Sequence, residues 1–473
     1  MTDEIFDVIV IGAGPAGENI AQYAREGGDL HVALIERELV GGECSYYACI
    51  PSKALLRPIE VAATAADLDG IRGVQLDAMA LLRRRDRWIS GYDDAGQAAW
   101  VASAGLTLVR GQARLIGERR VAVVTTDGEL GQERTLKARH AVVLATGSEA
   151  ILPPLYAAAL PWSSRDATGV VEVPRRLAIV GGGVVACEAA GWLAALGSEV
   201  ILLVRDQRLL GRVESFAADL VLAAMRERGI DVRLGVEVTG CRRPEARDTG
   251  LGRIHGGTVE LDVDGTTLRV DEVLVAVGRR PRLGDVGLEA VGLDDAAVRA
   301  GAVPDWLVAV GDASGEPQLT HWGKYRGRVL GEAIAARVAG RAPAPLPPLV
   351  PLPQAIFTDP PIGSVGMTYA DAVAAGVEVA VARVPWAAAA GGALARDTVR
   401  GAAQIIVDRA TGCLVGATFV GLEAPELIHA ATVAIVGRIP VDVLRHAVPS
   451  YPTASELWLR MLEELPRQLR DPR

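Results

Sequence analysis

The sequence predicts an α/β fold with two doubly wound βαβ units in series and a further domain behind them. Three observations predict it. A strand–glycine turn–helix–strand pattern begins at Phe6, and the same pattern begins again at Arg175. A proline-rich stretch, GRAPAPLPPLVPLPQ from Gly340 to Gln354, then reads as a stiff linker into the last part of the chain. At 473 residues the chain is too long for one core and splits into about two to four domains.

The first unit is FDVIVIGAGPAGENIAQYAREGGDLHVALIERE. Val8 to Ile11 is short and β-branched, as a strand covered on both faces should be. Gly12, Gly14 and Gly17 form G-x-G-x-x-G. The first permits a tight turn, the second lets backbone approach a pyrophosphate, and the third lets helix pack on strand. Free N–H groups at the helix start then face the phosphates. Glu36 closes the second strand, where a carboxylate holds ribose hydroxyls. These features point to a bound dinucleotide.

The second unit, RRLAIVGGGVVACEAAGWLAALGSEVILLVRD, gives Gly181, Gly183 and Ala186 as G-x-G-x-x-A. Its second strand ends in Arg205, with Arg208 three residues on. An acid there suits the 2′-hydroxyl of NAD, whereas arginine suits the 2′-phosphate of NADP. NADPH is the expected donor and NADH the alternative. Two such folds imply two nucleotides, one resident and one visiting, which suggests a flavin reduced by a nicotinamide.

Composition narrows the class. A net charge of −9 argues against nucleic-acid binding, which needs a basic face. The acidic start is not expected to act as a secretory signal, and the proline-filled run Ala342–Thr358 is not expected to span a bilayer as a helix. Five cysteines are too few for a disulfide scaffold, so the expected location is the cytoplasm. Two of the five lie close together in GGECSYYACIPSK, as Cys44 and Cys49. Joining them requires a loop or distorted turn around Ser45 to Ala48, because a regular helix would hold them about 7.5 Å apart. A bond closing so small a loop adds little stability and makes sense as a redox switch. Zinc is the competing use, but no second pair has suitable spacing, so no metal site is expected. Lys53 is one of only three lysines, with Lys137 and Lys324.

With these motifs in view, the chain resembles the class I pyridine nucleotide–disulfide oxidoreductases, the group of dihydrolipoamide dehydrogenase, glutathione reductase and mercuric reductase. GGECSYYACIPSK, which contains Gly42, matches the family's redox-disulfide signature. ATGSEAILPP, with Thr146 and Gly147, and DEVLVAVGRRP, with Gly278, resemble the two crossings between flavin and nicotinamide domains. VAVGDAS, with Gly311 and Asp312, resembles the segment that holds the flavin ribitol. FTDPPIGSVGMT and GATFVGLEAPELIHAATVAI resemble the α+β dimerisation domain. The resemblance implies FAD as resident cofactor, Cys49 as the thiolate against the flavin and Cys44 as the outer thiol. It also implies Lys53 near flavin N5, with Glu188 as its acidic partner. Thr320 reads as an N-cap of a helix aimed at the flavin.

One departure bears on substrate. The disulfide-reducing members carry a histidine–proline–threonine near the C-terminus that reaches into the partner's site. This chain reads AVPSYPTASELW, in which Pro452, Thr453 and Glu456 fit but Tyr451 stands at the histidine position. Histidine titrates near neutrality and phenol near pH 10, and losing an acid–base group typically costs on the order of 10²–10⁴-fold in rate. Turnover of lipoamide is therefore expected to be poor. Mercuric reductase also lacks the histidine but carries a C-terminal cysteine pair. Here no cysteine follows Cys413, which in RATGCLVG reads as a small buried residue, while Cys187 and Cys241 read as core and surface thiols.

The expected organisation is a FAD-binding domain over 1–149 and a NAD(P)-binding domain over 150–277. A central part over 278–345 completes the FAD site, and a dimerisation domain covers 346–473. The expected function is electron transfer from NAD(P)H through FAD and the Cys44–Cys49 pair to a disulfide or other small acceptor. The expected assembly is a homodimer whose partner C-terminus completes each site, with no nucleic acid and no membrane insertion. Two alternatives remain: a flavin-only quinone, metal-ion or transhydrogenase-type reductase, and a non-catalytic redox sensor. RRRDR, from Arg83, is expected to be a solvated face.

Overall fold

The computed structural model describes residues 3–126 and 131–470. Its contacts divide the chain into two units. One comprises Met1–Pro51, Arg85–Ile151 and Gly278–Leu346; the other comprises Ser52–Arg84, Leu152–Val277 and Pro347–Arg473.

In the first unit, strand Glu4–Ile11 lies between the parallel strands Val32–Glu36 and Glu133–Leu144. Thr107–Gly117 adds outside Val32–Glu36, and Leu307–Ala309 adds outside Glu133–Leu144. The strand order therefore reverses at Glu4–Ile11, the switch point at whose carboxyl end doubly wound sheets bind ligands. Alternate side chains fill two cores, Val8, Val10 and Leu34 on one face and Ile9, Ile11 and Ile35 on the other. Helix Pro15–Gly28 follows the first strand and packs on helix Thr320–Val338, whose Gly323, Gly327 and Gly331 are buried. A Cβ at Gly327 would lie 2.7 Å from the Ala16 carbonyl oxygen, so only glycine allows this approach.

The second unit contains the second βαβ pattern. Four parallel strands run in the order Glu272–Val275, Arg176–Val180, Glu199–Val204 and Asp231–Leu234. Helix Val184–Ala195 buries Ala186, Cys187, Ala189, Ala190 and Leu193, an apolar face that explains its run of small residues. After the proline-rich segment comes a five-stranded antiparallel sheet in the order 353–356, 362–366, 414–420, 402–408, 379–385. Helices Ala424–Val436 and Glu456–Glu464 share a core with it, built around Phe419, Ile405 and Leu457.

Two local expectations need correction. Arg85 of RRRDR is only 3% exposed and its Nε donates to Asp86 at 2.7 Å, so that run is not wholly solvated. Thr320 is the first helical residue, and Leu319 occupies the N-cap position. Among the described residues no helix is long and apolar enough to cross a membrane.

Candidate active site

The first glycine turn fits a pyrophosphate. Gly12 has φ +104°, and a Cβ there would lie 2.3 Å from the Ala145 carbonyl oxygen. Gly14 caps helix Pro15–Gly28 without any side-chain hydrogen bond, leaving the first N–H groups for a ligand. A Cβ on Gly42 would come within 2.7 Å of the Gly14 Cα, so two bare backbones face each other over the helix start. A Cβ on Gly17 would overlap the Gly12 carbonyl, the close helix–strand packing expected of the third glycine. Glu36 is buried and accepts from the N–H groups of Ala13 and Glu38 at 2.8 Å each, which fixes its carboxylate at the strand end. Burial pushes its pKa upward against those hydrogen bonds.

The two crossings meet as a small antiparallel pair, Ser148–Ala150 against Arg279–Pro281. Thr146 donates to the Arg282 carbonyl at 2.6 Å, the Gly147 carbonyl accepts from Arg282 N at 3.0 Å, and the Gly278 carbonyl accepts from Ile151 N at 2.9 Å. Ser148 receives the Arg279 Nε at 2.8 Å and donates to Asp312 at 2.5 Å. Asp312 sits in a 3₁₀ turn that begins at Gly311, and burial raises its pKa. The carboxylate is thus held by one hydroxyl and keeps acceptor capacity for a polyol. Arg279 also reaches Glu43 at 3.3 Å, beside the first cysteine. Ser148, Arg279 and Glu43 were not singled out in the sequence, because their partners lie over 100 residues away.

The cysteine segment folds as a short helix, Gly42–Tyr46, a break at Tyr47 and Ala48, and a long helix that begins at Cys49. The break lets the side chains of Cys44 and Cys49 meet, both as free thiols. Thr320 Oγ1 lies 3.4 Å from Cys49 Sγ. Contact with Cys49, then burial, pushes the Cys44 thiol far above its ordinary range. Tyr47 packs its ring on Tyr92 with centroids 5.4 Å apart.

In the second unit Lys53 Nζ donates to Glu188 Oε2 at 2.7 Å, and the Phe357 N–H donates to Glu188 Oε1 at 2.9 Å. Lys53 Nζ also stands 4.6 Å over the Phe357 ring. These three residues line a cavity of about 1120 Å3 whose walls include Leu56, Ile59 and Met225. The second glycine turn repeats the first: Gly181 has φ +131°, and Gly183 caps its helix without a side-chain bond. Arg205 and Arg208 are exposed just past the second strand, with no ion-pair partner among the described residues. Glu456 is buried and accepts from Ala390 N at 3.2 Å, while Tyr451 is 77% exposed. Among the described residues no hydrogen bond links Glu456 to Tyr451. Among the described residues no cluster of His, Cys, Asp and Glu could hold a metal ion. Cys413, expected to be buried, is partly exposed; Cys187 is buried.

Residues 6–323 match the model of the pyridine nucleotide-disulphide oxidoreductase family, and residues 352–462 match that family's dimerisation domain. A dihydrolipoyl dehydrogenase of Haloferax volcanii is 34% identical over 471 residues, covering 97% of this chain and 95% of that one. A dihydrolipoyl dehydrogenase of Chlamydia muridarum is 31% identical over 477 residues, with 96% of each chain covered. Among solved structures, the HOCl-induced flavoprotein disulfide reductase RclA of Escherichia coli, as its Cu(II) complex, superposes with TM-score 0.81. It is 23% identical and covers 98% of this chain and 99% of its own. LpdA of Mycobacterium tuberculosis gives TM-score 0.82 at 23% identity, covering 96% and 99%. At that identity the two structures establish the fold.

Proposed function

The chain belongs to the pyridine nucleotide-disulphide oxidoreductase family, and on that premise we propose that it carries electrons from NADPH to a small acceptor through the Cys44–Cys49 pair. It is an oxidoreductase of the kind that uses FAD and a pyridine nucleotide. The observation that carries the finer reading is the meeting of Cys44 and Cys49 across the break at Tyr47 and Ala48. FAD, when bound, would supply the two-electron redox chemistry that links the nicotinamide to the sulfur pair.

The chain's residues supply the rest. Gly12, Gly14, Gly17 and Gly42 shape the pyrophosphate cradle, Glu36 holds the ribose and Asp312 the ribitol. Gly181 and Gly183 receive the nicotinamide dinucleotide, and Arg205 and Arg208 meet a 2′-phosphate. Lys53, fixed by Glu188, presents a cation at the flavin. Two electrons and one proton open the disulfide to a Cys49 thiolate and a Cys44 thiol. Cys44 then loses its proton and attacks a disulfide acceptor, and the displaced thiolate takes up a proton. Closure of the Cys44–Cys49 bond releases the second thiolate.

Residues 1–149 form the FAD domain in this reading, 150–277 the NAD(P) domain, 278–345 the part completing the FAD site and 346–473 the interface domain. The assembly is a cytoplasmic homodimer. Tyr451 disfavours lipoamide and favours acceptors that need little proton help, such as a quinone, a metal ion or a disulfide with an acidic leaving thiol. The apolar cavity beside Lys53 and Glu188 favours a second reading, direct reduction of an apolar acceptor without the thiols.

The test is anaerobic titration with NADPH. The parent protein should develop a long-wavelength absorption from the Cys49 thiolate against flavin, and Cys49→Ser should abolish it. An unchanged band in that variant refutes the role of Cys49.

A further inference from the structure

We propose that Phe357, a residue of the dimerisation domain, is a positioning residue for the Lys53–Glu188 pair of its own chain. The inference rests on Lys53 being the cation presented to the flavin.

Each oxygen of Glu188 has one donor: Oε2 takes Lys53 Nζ at 2.7 Å and Oε1 takes the Phe357 N–H at 2.9 Å. The Glu188 side chain is only 5% exposed, so loss of either donor would leave part of a buried charge unpaired. On the other side, the face of the Phe357 ring lies 4.6 Å beneath the same ammonium, within cation–π range. One residue therefore holds both members of the pair, the acid through its backbone and the base through its ring.

Phe357 is itself held from both directions along the chain. Ile356, immediately before it, ends strand Pro353–Ile356 and is buried in a core with Leu55, Cys187, Ala189 and Ile362. That core contains residues of both helices that carry the pair, Cys49–Ala66 and Val184–Ala195. Two residues after Phe357, Asp359 is ion-paired to Arg228 and, at 2.7 Å, to Arg396. Phe357 is partly exposed and lines the cavity, so its ring is not simply filling the core. The residue that follows the first strand of the dimerisation domain thus forms part of the wall of the cavity beside Lys53 and Glu188.

Phe357→Leu keeps the N–H and the apolar bulk but removes the ring face, whereas Phe357→Tyr keeps both. With only three lysines in the chain, trace acetylation of the holoenzyme reads Lys53 by mass spectrometry, with Lys137 and Lys324 as internal standards. Lys53 should acetylate about fivefold faster, relative to Lys137, in the Leu variant, and at the parent rate in the Tyr variant. The pH profile of flavin bleaching by NADPH should move in Leu and stay in Tyr. Phe357→Met repeats the measurement should the Leu variant fail to retain flavin. Parent-like labelling and pH profile in the ring-less variants overturn the inference. Lys53→Met reports separately: if it bleaches as fast as the parent, the reading of Lys53 fails. If it is slow while the ring-less variants match the parent, only the role of Phe357 fails.

Discussion

Glu18 offers a quantitative check on the electrostatics at the first glycine turn. It lies in the first turn of helix Pro15–Gly28, and its Oε1 is buried with no hydrogen-bond partner among the described residues. Burial is the largest influence and raises its pKa from 4.5 to about 7; Lys324 opposes the rise and Glu36 adds to it. The unfolded chain ionises Glu18 near its ordinary value while the folded chain keeps the proton. Stability is therefore greatest below the unfolded pKa and is lost as pH rises through about 7. A rise of this size corresponds to a ceiling of about 3.4 kcal/mol. About 2.5 kcal/mol of that falls between pH 5 and 8, and allowing for partial solvation leaves roughly 1–2.5 kcal/mol. Glu18→Gln cannot ionise, so it should gain that amount on the parent when denaturant unfolding is compared at pH 5 and pH 8, with FAD in fixed excess. Parallel pH dependence in parent and variant would refute the reasoning.

Other perturbations reach the chemistry. Tyr451→His should raise turnover of lipoamide, on the order of 10-fold or more; a folded, flavinated variant that gains nothing contradicts the role given to the missing base. Thr320→Val removes the hydroxyl 3.4 Å from Cys49 Sγ and should move the pH midpoint of the long-wavelength band up by about one unit. Thr320→Ser should restore it. Arg205→Ala should raise the KM for NADPH about tenfold and leave that for NADH nearly unchanged; equal effects on both would remove the 2′-phosphate assignment.

What could be read from the chain is what local geometry constrains. Gly12 and Gly181 sit at positive φ with a carbonyl oxygen where Cβ would be, so no other residue fits, and the motif is visible in any sequence with this turn. The cysteine spacing required a distorted turn, and the structure has one at Tyr47 and Ala48. Contacts between distant segments were not legible from local pattern; the Lys53–Glu188 pair, 135 residues apart, was reached only through the family resemblance. Glu188 and Phe357 are 169 residues apart and Ser148 and Asp312 are 164 apart, and no periodicity encodes such meetings. The glycine stripe on Thr320–Val338 passed unnoticed because glycine every fourth residue signals helix approach only once the neighbouring helix is known. Arg85 misled for the opposite reason: a run of charge is solvated on average, but each residue follows the phase of its own helix.

The most direct test of thiol transfer is steady-state turnover by a Cys44→Ser/Cys49→Ser variant with NADPH across disulfide, quinone and metal-ion acceptors. The flavin should still bleach with NADPH in that variant, while multiple-turnover transfer to every acceptor falls by at least 100-fold. Parent-like turnover with any physiological acceptor would show that electrons leave without passing through sulfur, and the central claim would be wrong.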